Sequence, residues 1–243
     1  MAYDYLGLVN DLNGRVNETQ LTTSNFAAAA GFYSTAKTAI NSSIRDLNQQ
    51  AYQWPHNHVK YDETLVAGTN RYAFQTNTKT IDWGTFRVRE DAALGNETQL
   101  LQHMDYDDYL KRYVDVEYTT STTERDTPLR VAQAPNLEYV LHPVPDKAYT
   151  LSYEYFQLPV DLVASADVPS LPEAFRHVIG DGAMYYVYFF RGDIETADRI
   201  QAKFAKGIKN LRSIYVNSDY NYVRDTRLPD RGQRSSASGG GSI

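Results

Sequence analysis

The chain contains no cysteine, which removes disulfides, thiolate nucleophiles and every zinc or iron–sulfur site built on sulfur, and suits a reducing compartment. It also lacks a long hydrophobic run. The longest apolar block, around Ala183 to Phe190, falls far short of the roughly 20 residues a membrane span needs, and no basic start followed by an apolar stretch opens the sequence. A soluble protein made in the cytoplasm is expected. Positive charge is in deficit, with 24 Lys and Arg against 30 Asp and Glu for a net charge of -6, so a general electrostatic grip on nucleic acid is excluded. Catalytic signatures are missing too: there is no glycine-rich phosphate loop and no Gly-x-Ser-x-Gly nucleophile elbow.

What is present is the composition of a globular protein, 42% hydrophobic and 22% charged over 243 residues, enough for one large domain or two small ones. Tyrosine outnumbers phenylalanine 20 to 9. A ring with an apolar body and a polar tip suits sheet faces and subunit interfaces that are half buried and half wet.

Helical periodicity marks both ends. Leu6, Val9, Leu12 and Val16 give a short amphipathic helix. After a cap at Ser24 or Asn25, Phe26, Ala29, Tyr33, Ala36, Ile40, Ile44, Leu47 and Ala51 recur at steps of three and four until Trp54-Pro55, predicting one helix from Phe26 to Tyr52 about 40 Å long. Near the other end, Pro172 and Glu173 suit a first helical turn. Phe175, Val178, Ile179, Gly182, Tyr186 and Phe189 then form an apolar face. Arg191-Gly192-Asp193 supplies a left-handed glycine and a cap, and Ala197, Ile200, Phe204, Ile208, Leu211 and Tyr215 continue as a second helix whose polar side carries Lys203, Lys206 and Lys209. Two helices joined so tightly run antiparallel and need a partner for their remaining apolar surface.

The middle reads as β. Thr64 to Phe74 resembles a hairpin around Gly68; Ile81–Trp83 and Phe86–Val88 are extended; Val114–Thr119, Leu129–Ala132, Tyr139–Leu141 and Tyr149–Tyr155 are further strands; and Leu100 to Leu110 suggests a short helix. Short strands separated by Pro, Gly and Asn indicate a small sandwich or barrel. The expected fold is therefore α+β, a four-helix bundle with an inserted β module. Its divisions are 1–57 (N-terminal helices), 58–165 (β module), 166–218 (helical hairpin) and 219–243 (a C-terminal arm flexible by composition, ending in a Ser/Gly-rich stretch). Arg224, Arg227, Arg231 and Arg234 give the arm a local positive charge in an acidic chain.

Three clusters invite a chemical reading. His56 and His58 place two imidazoles close together, but no further metal ligands of fixed geometry accompany them. Asp105, Asp107 and Asp108, with Tyr106 and Tyr109, can hold a cation or act as paired carboxylates in glycoside hydrolysis. They equally suit a helix cap, and the spacing is not that of an EF-hand. Arg191-Gly192-Asp193 is explained by helix breaking and capping. No cofactor or metal is called for, and no catalytic residue is expected.

In order and local phrasing the chain resembles the head-to-tail adaptor family of tailed bacteriophages, called tail tubular protein A in short-tailed phages. The residues carrying the likeness are Leu8-Val9-Asn10-Asp11, the long helix ending in Trp54-Pro55, Thr64-Leu65-Val66-Ala67-Gly68 followed by Tyr72, and Met104-Asp105-Tyr106-Asp107-Asp108-Tyr109. They continue with His142-Pro143-Val144-Pro145-Asp146 leading into Tyr149-Thr150-Leu151-Ser152-Tyr153-Glu154-Tyr155, then Leu171-Pro172-Glu173-Ala174-Phe175 and the turn at Arg191-Gly192-Asp193. The resemblance implies a non-enzymatic virion protein, assembled in the host cytoplasm as a homo-oligomeric, dodecameric ring beneath the portal protein. Such a ring supports the next tail or nozzle protein and lets genome DNA pass without specific binding or any membrane contact. It also implies that the arm, through Arg224, Arg227, Arg231, Arg234 and Ile243, reaches the portal. Because the summed charge of a ring favours an acidic or neutral lumen, Lys203, Lys206 and Lys209 are expected to face a neighbouring subunit or the outside. The rival reading is a glycan-binding or glycan-hydrolysing tail protein acting through the β module, with Asp105, Asp107 or Asp108 as acids.

Overall fold

The computed structural model describes residues 3–51, 53–90, 98–117 and 122–215. Its class is α+β. Helix α1 (Tyr5–Arg15) starts at Asp4, whose carboxylate accepts the Gly7 N–H at 2.7 Å, a side-chain cap on an otherwise orphaned donor. The single long helix expected next is instead two. A short α2 (Thr23–Phe26) ends before Gly31, and α3 (Phe32–Gln49) begins after it. Gly31 has φ +64, a left-handed conformation that a helix cannot carry through. The break buries Phe26 edge-on against Tyr5, ring centroids 5.1 Å apart, while the Lys37 ammonium donates to the Phe26 carbonyl. At 18 residues, α3 is about 27 Å long rather than 40 Å.

The chain leaves the helices through Trp54, buried, with its indole N–H donating to the Leu47 carbonyl at 3.1 Å, and enters a β region with eight strands among the described residues. They are β1 (His58–Leu65), β2 (Arg71–Ala73), β3 (Thr78–Arg89), β4 (Thr98–Leu100), β5 (Gln102–Met104), β6 (Arg130–Ala134), β7 (Glu138–His142) and β8 (Tyr149–Gln157). Two four-stranded sheets result, ordered β1-β8-β3-β4 and β2-β7-β6-β5. The expected hairpin at Thr64–Phe74 does not form, because β1 pairs with β8 over eight residues while β2 pairs with β7 in the other sheet. Gly68, at φ +80, turns the chain between sheets, and the Tyr72 hydroxyl accepts the Val66 N–H at 2.8 Å that the lost hairpin leaves unpaired. In β8 the alternation holds: Tyr149, Leu151, Tyr153 and Tyr155 are all buried. They meet Phe86, Tyr139 and Leu141 in one core shared by the two sheets.

Two further expectations are corrected here. Thr98–Leu100 and Gln102–Met104 are strands rather than the start of a helix. Val114 to Glu117 belong to helix α4 (Tyr106–Glu117) rather than to a strand, while residues 118 and 119 of that expected strand lie outside the described residues. Tyr106, Tyr109 and Tyr113 share one helical face and cover Ala132, Ala134 and Val140 on the second sheet, so the tyrosine stripe overrides the strand preference of Val114 and Val116.

The chain returns through residues 158–171. A 3-10 turn at Glu173–Phe175 precedes α5 (His177–Phe190), and α6 (Ile194–Tyr215) follows. Helices α1, α3, α5 and α6 contribute to one core, with α5 packed against each of the other three. Phe189, assigned above to the buried face, is 59% exposed, because Ala183 and Val187 carry that face onward. Helical and β parts meet at the end of α3, where the Lys79 ammonium donates to the carbonyls of Asn48 and, at 2.6 Å, Ala51.

Candidate functional site

The residues singled out for chemistry serve the fold. His56 is packed against Trp54 and Tyr215, ring centroids 5.6 and 6.0 Å apart, and its buried Nδ1 finds no protein partner. Burial, assisted by the Lys79 charge, pushes its pKa down to about 4. His58 instead stacks on Phe156 at 4.4 Å and places Nε2 3.1 Å from Glu154 Oε2. Each imidazole thus has its own surroundings. Among the described residues no group of three or more His, Asp or Glu is placed to hold a metal ion.

The acidic cluster opens α4. Asp105 Oδ1 accepts the Asp107 N–H at 3.0 Å and the Asp105 carbonyl accepts from Tyr109, while Asp107 and Asp108 occupy the first turn, where the helix dipole favours negative charge. At the α5–α6 turn Gly192 has φ +79 and Asp193 Oδ1 accepts the Thr196 N–H at 3.1 Å, a break and a cap. Lys203 does not project freely from the basic face. It reaches Asp181 Oδ1 at 2.8 Å, and Arg15 Nη1 reaches the same oxygen at 2.7 Å. This carboxylate ties α1, α5 and α6 together.

The notable surface is apolar. At the α5–α6 tip, Phe189, Phe190 and Ile194 are 59%, 67% and 61% exposed. On the returning segment Val160 and Val163 are 75% and 79% exposed, with Leu158 and Val168 beside them. Between α3, α5 and α6 lies a groove of about 660 Å³, walled by Tyr185, Phe204, Ala205 and Ile208 and flanked by Lys209 and Arg212. Sequence reasoning passed over the returning segment because its apolar residues follow neither a helical nor a strand period. The available signal was Leu-Pro-Val-Asp-Leu-Val at 158–163, apolar residues in a loop. The arm residues Arg224, Arg227, Arg231, Arg234 and Ile243 lie outside the described residues.

Apolar patches on fixed elements mark surfaces suited to contact with other proteins. The family described as SU10 adaptor protein matches residues 3–229, nearly the whole chain, and the chain belongs to this family of phage head-to-tail adaptors. It is a bacteriophage structural adaptor, a component of the virion that joins other phage head and tail proteins. No helix among the described residues is long and apolar enough to cross a membrane. A search of curated proteins finds no match.

Proposed function

We propose that this adaptor forms a closed ring, dodecameric by analogy with its family, between the portal and the next tail component, and that genome DNA passes through it. The observation that carries the reading is the family match over residues 3–229. Exposed apolar surface held on rigid elements supports it, since a ring subunit must offer two contact faces to its neighbours. The net charge of -6 supports passage without retention: a lumen rich in lysine and arginine would hold phosphates through counterion release. In this proposal residues 1–57 and 166–218 are the helical body, 58–165 is a β module and 219–243 is the arm. The arm meets the portal through Arg224, Arg227, Arg231, Arg234 and Ile243, and the protein does no chemistry.

Electron microscopy of the purified protein, alone and mixed with its portal, tests the proposal. Rings seated on the portal are the expected result, and a protein that neither assembles nor binds the portal refutes it. Deleting Asp225 to Ile243 is expected to leave a folded chain that no longer joins the portal. Normal virions built from that deletion would remove the arm from the account.

A further inference from the structure

The segment 158–171 combines high apolar exposure with a fixed shape. Val160 and Val163 are the most exposed large hydrophobic residues described, yet the backbone around them is held at many points. Asn41 clamps Leu162 from both sides, its Nδ2 donating to the carbonyl and its Oδ1 accepting the N–H, each at 3.0 Å. Asp167 Oδ2 accepts the N–H groups of Val163 and Ala164, both at 2.7 Å. From α1, Tyr5 N–H donates to the Asp167 carbonyl at 2.8 Å and Leu6 N–H to the Ser165 carbonyl at 3.0 Å. Arg45 forms an ion pair with Asp161. A loop with no binding role gains nothing by presenting two valines to water on so rigid a frame, whereas a docking element gains from it, because its ordering entropy is already spent.

The groove between α3, α5 and α6 is the complementary shape, and the two features lie on different flanks of one helix. Asn41, Ile44 and Arg45 face the loop, while Asp46, Gln49 and Gln50 border the groove. At 3.6 residues per turn these two sets are centred about 140° apart around α3, with the core face of Ala36, Ile40, Ser43 and Leu47 turned away from both. The charges also match. Residues 158–171 carry Asp161 and Asp167 and no lysine or arginine. Asp161 is paired with Arg45 of its own chain, which leaves the loop side one net negative charge, while the groove, with Lys209 and Arg212 against Asp46, carries one net positive charge.

We propose that the 158–171 loop of one copy seats Val160 and Val163 in the α3–α5–α6 groove of the next copy, against Phe204, Ala205 and Ile208. A convex face and a concave face on different flanks of one chain make a head-to-tail contact, the kind that closes into a ring when the rotation fits. The inference rests on the ring reading above and names its interface. It gives Lys209 a neighbouring subunit to face, whereas Lys203 is held within its own chain.

The test uses two full-length variants altered only at exposed positions. One carries Val160→Asp with Val163→Asp and has a spoiled loop and an intact groove. The other carries Ala205→Glu with Lys209→Glu and has the reverse. Circular dichroism checks that both are folded, and sedimentation velocity and native mass spectrometry report assembly. Each variant alone is expected to need at least about ten-fold more protein than wild type to assemble, as loss of a central apolar contact implies. Their equimolar mixture should give a dimer and nothing larger, since only one intact loop and one intact groove are left to meet. If both variants assemble like wild type, the interface lies elsewhere and the ring reading stands. A mixture that stays monomeric, or a groove variant that assembles normally but loses portal binding, also overturns the assignment, the latter making the portal the occupant. A wild-type chain that stays monomeric with and without portal brings down the ring reading and this inference together.

Discussion

Asp181 is the residue on which three helices converge. Its side chain is 10% exposed and accepts both Arg15 and Lys203, and Arg15 in turn holds Asp11 at 2.7 Å. Lys203 is 66% exposed and Arg15 keeps Asp11 as a partner, so Asp181→Ala removes two charge-assisted bonds from groups that water still reaches and is expected to cost about 1 kcal/mol. Urea denaturation measures this, and a change below about 0.5 kcal/mol, the usual size for surface substitutions, would count against a structural role. His56 gives the protein an acid-sensitive limb. Its pKa is depressed from 6.5 to about 4 in the folded chain, so on acidification the unfolded chain takes up the proton first. The contribution is therefore intact above pH 6.5 and is lost progressively as pH falls from 6.5 towards 4. Thermal melts across that window should show a falling midpoint in the wild type and a shallower fall in His56→Gln. Equal slopes would remove His56 from the account.

At the scale of elements, legibility followed the strength of local pattern. Strand β8 could be read because Tyr149, Leu151, Tyr153 and Tyr155 alternate on one buried face, and the α5–α6 turn could be read because Gly192 and Asp193 each do what their chemistry favours. Where local preference and long-range pairing disagreed, pairing won. Ala27 to Ala30 favour helix, yet burying Phe26 on Tyr5 requires the break at Gly31. Thr64 to Phe74 has a hairpin's composition, yet β1 gains a longer partner in β8. Val114 and Val116 suggested strand until the tyrosine stripe of α4 found the second sheet. The adaptor family was legible from the order of short phrases, whereas the groove and the exposed loop were not, since both depend on which face of α3 each neighbour meets. The acidic cluster offers a clean test of its helical role. Asp105→Ala, which deletes the α4 cap, should cost about 1 kcal/mol, whereas Asp107→Ala should cost a few tenths by weakening only a dipole interaction. Chemical denaturation separates the two, and an Asp107 effect equal to or larger than that of Asp105 contradicts the capping account.

Over the whole molecule, the helices and the two sheets bury separate sets of side chains and touch at the end of α3. We propose that each part folds around its own contacts. Leu47→Asp, placing an uncompensated charge at a 3% exposed site, should then unfold the helical part and leave the sandwich in place, as hydrogen exchange would show; simultaneous loss of protection in β8 would mean a single cooperative unit. The two tryptophans happen to be distributed for such a measurement. Trp54 lies in the helical core against Leu47, and Trp83 lies at the sandwich core between Phe86 and His103, at 5.3 and 4.5 Å. Each half of the adaptor therefore carries its own native fluorophore, and replacing either indole with phenylalanine turns the chain into a single-colour reporter. With no dye attached, the emission of one half can be followed while the portal, a neighbouring copy or denaturant acts on the other.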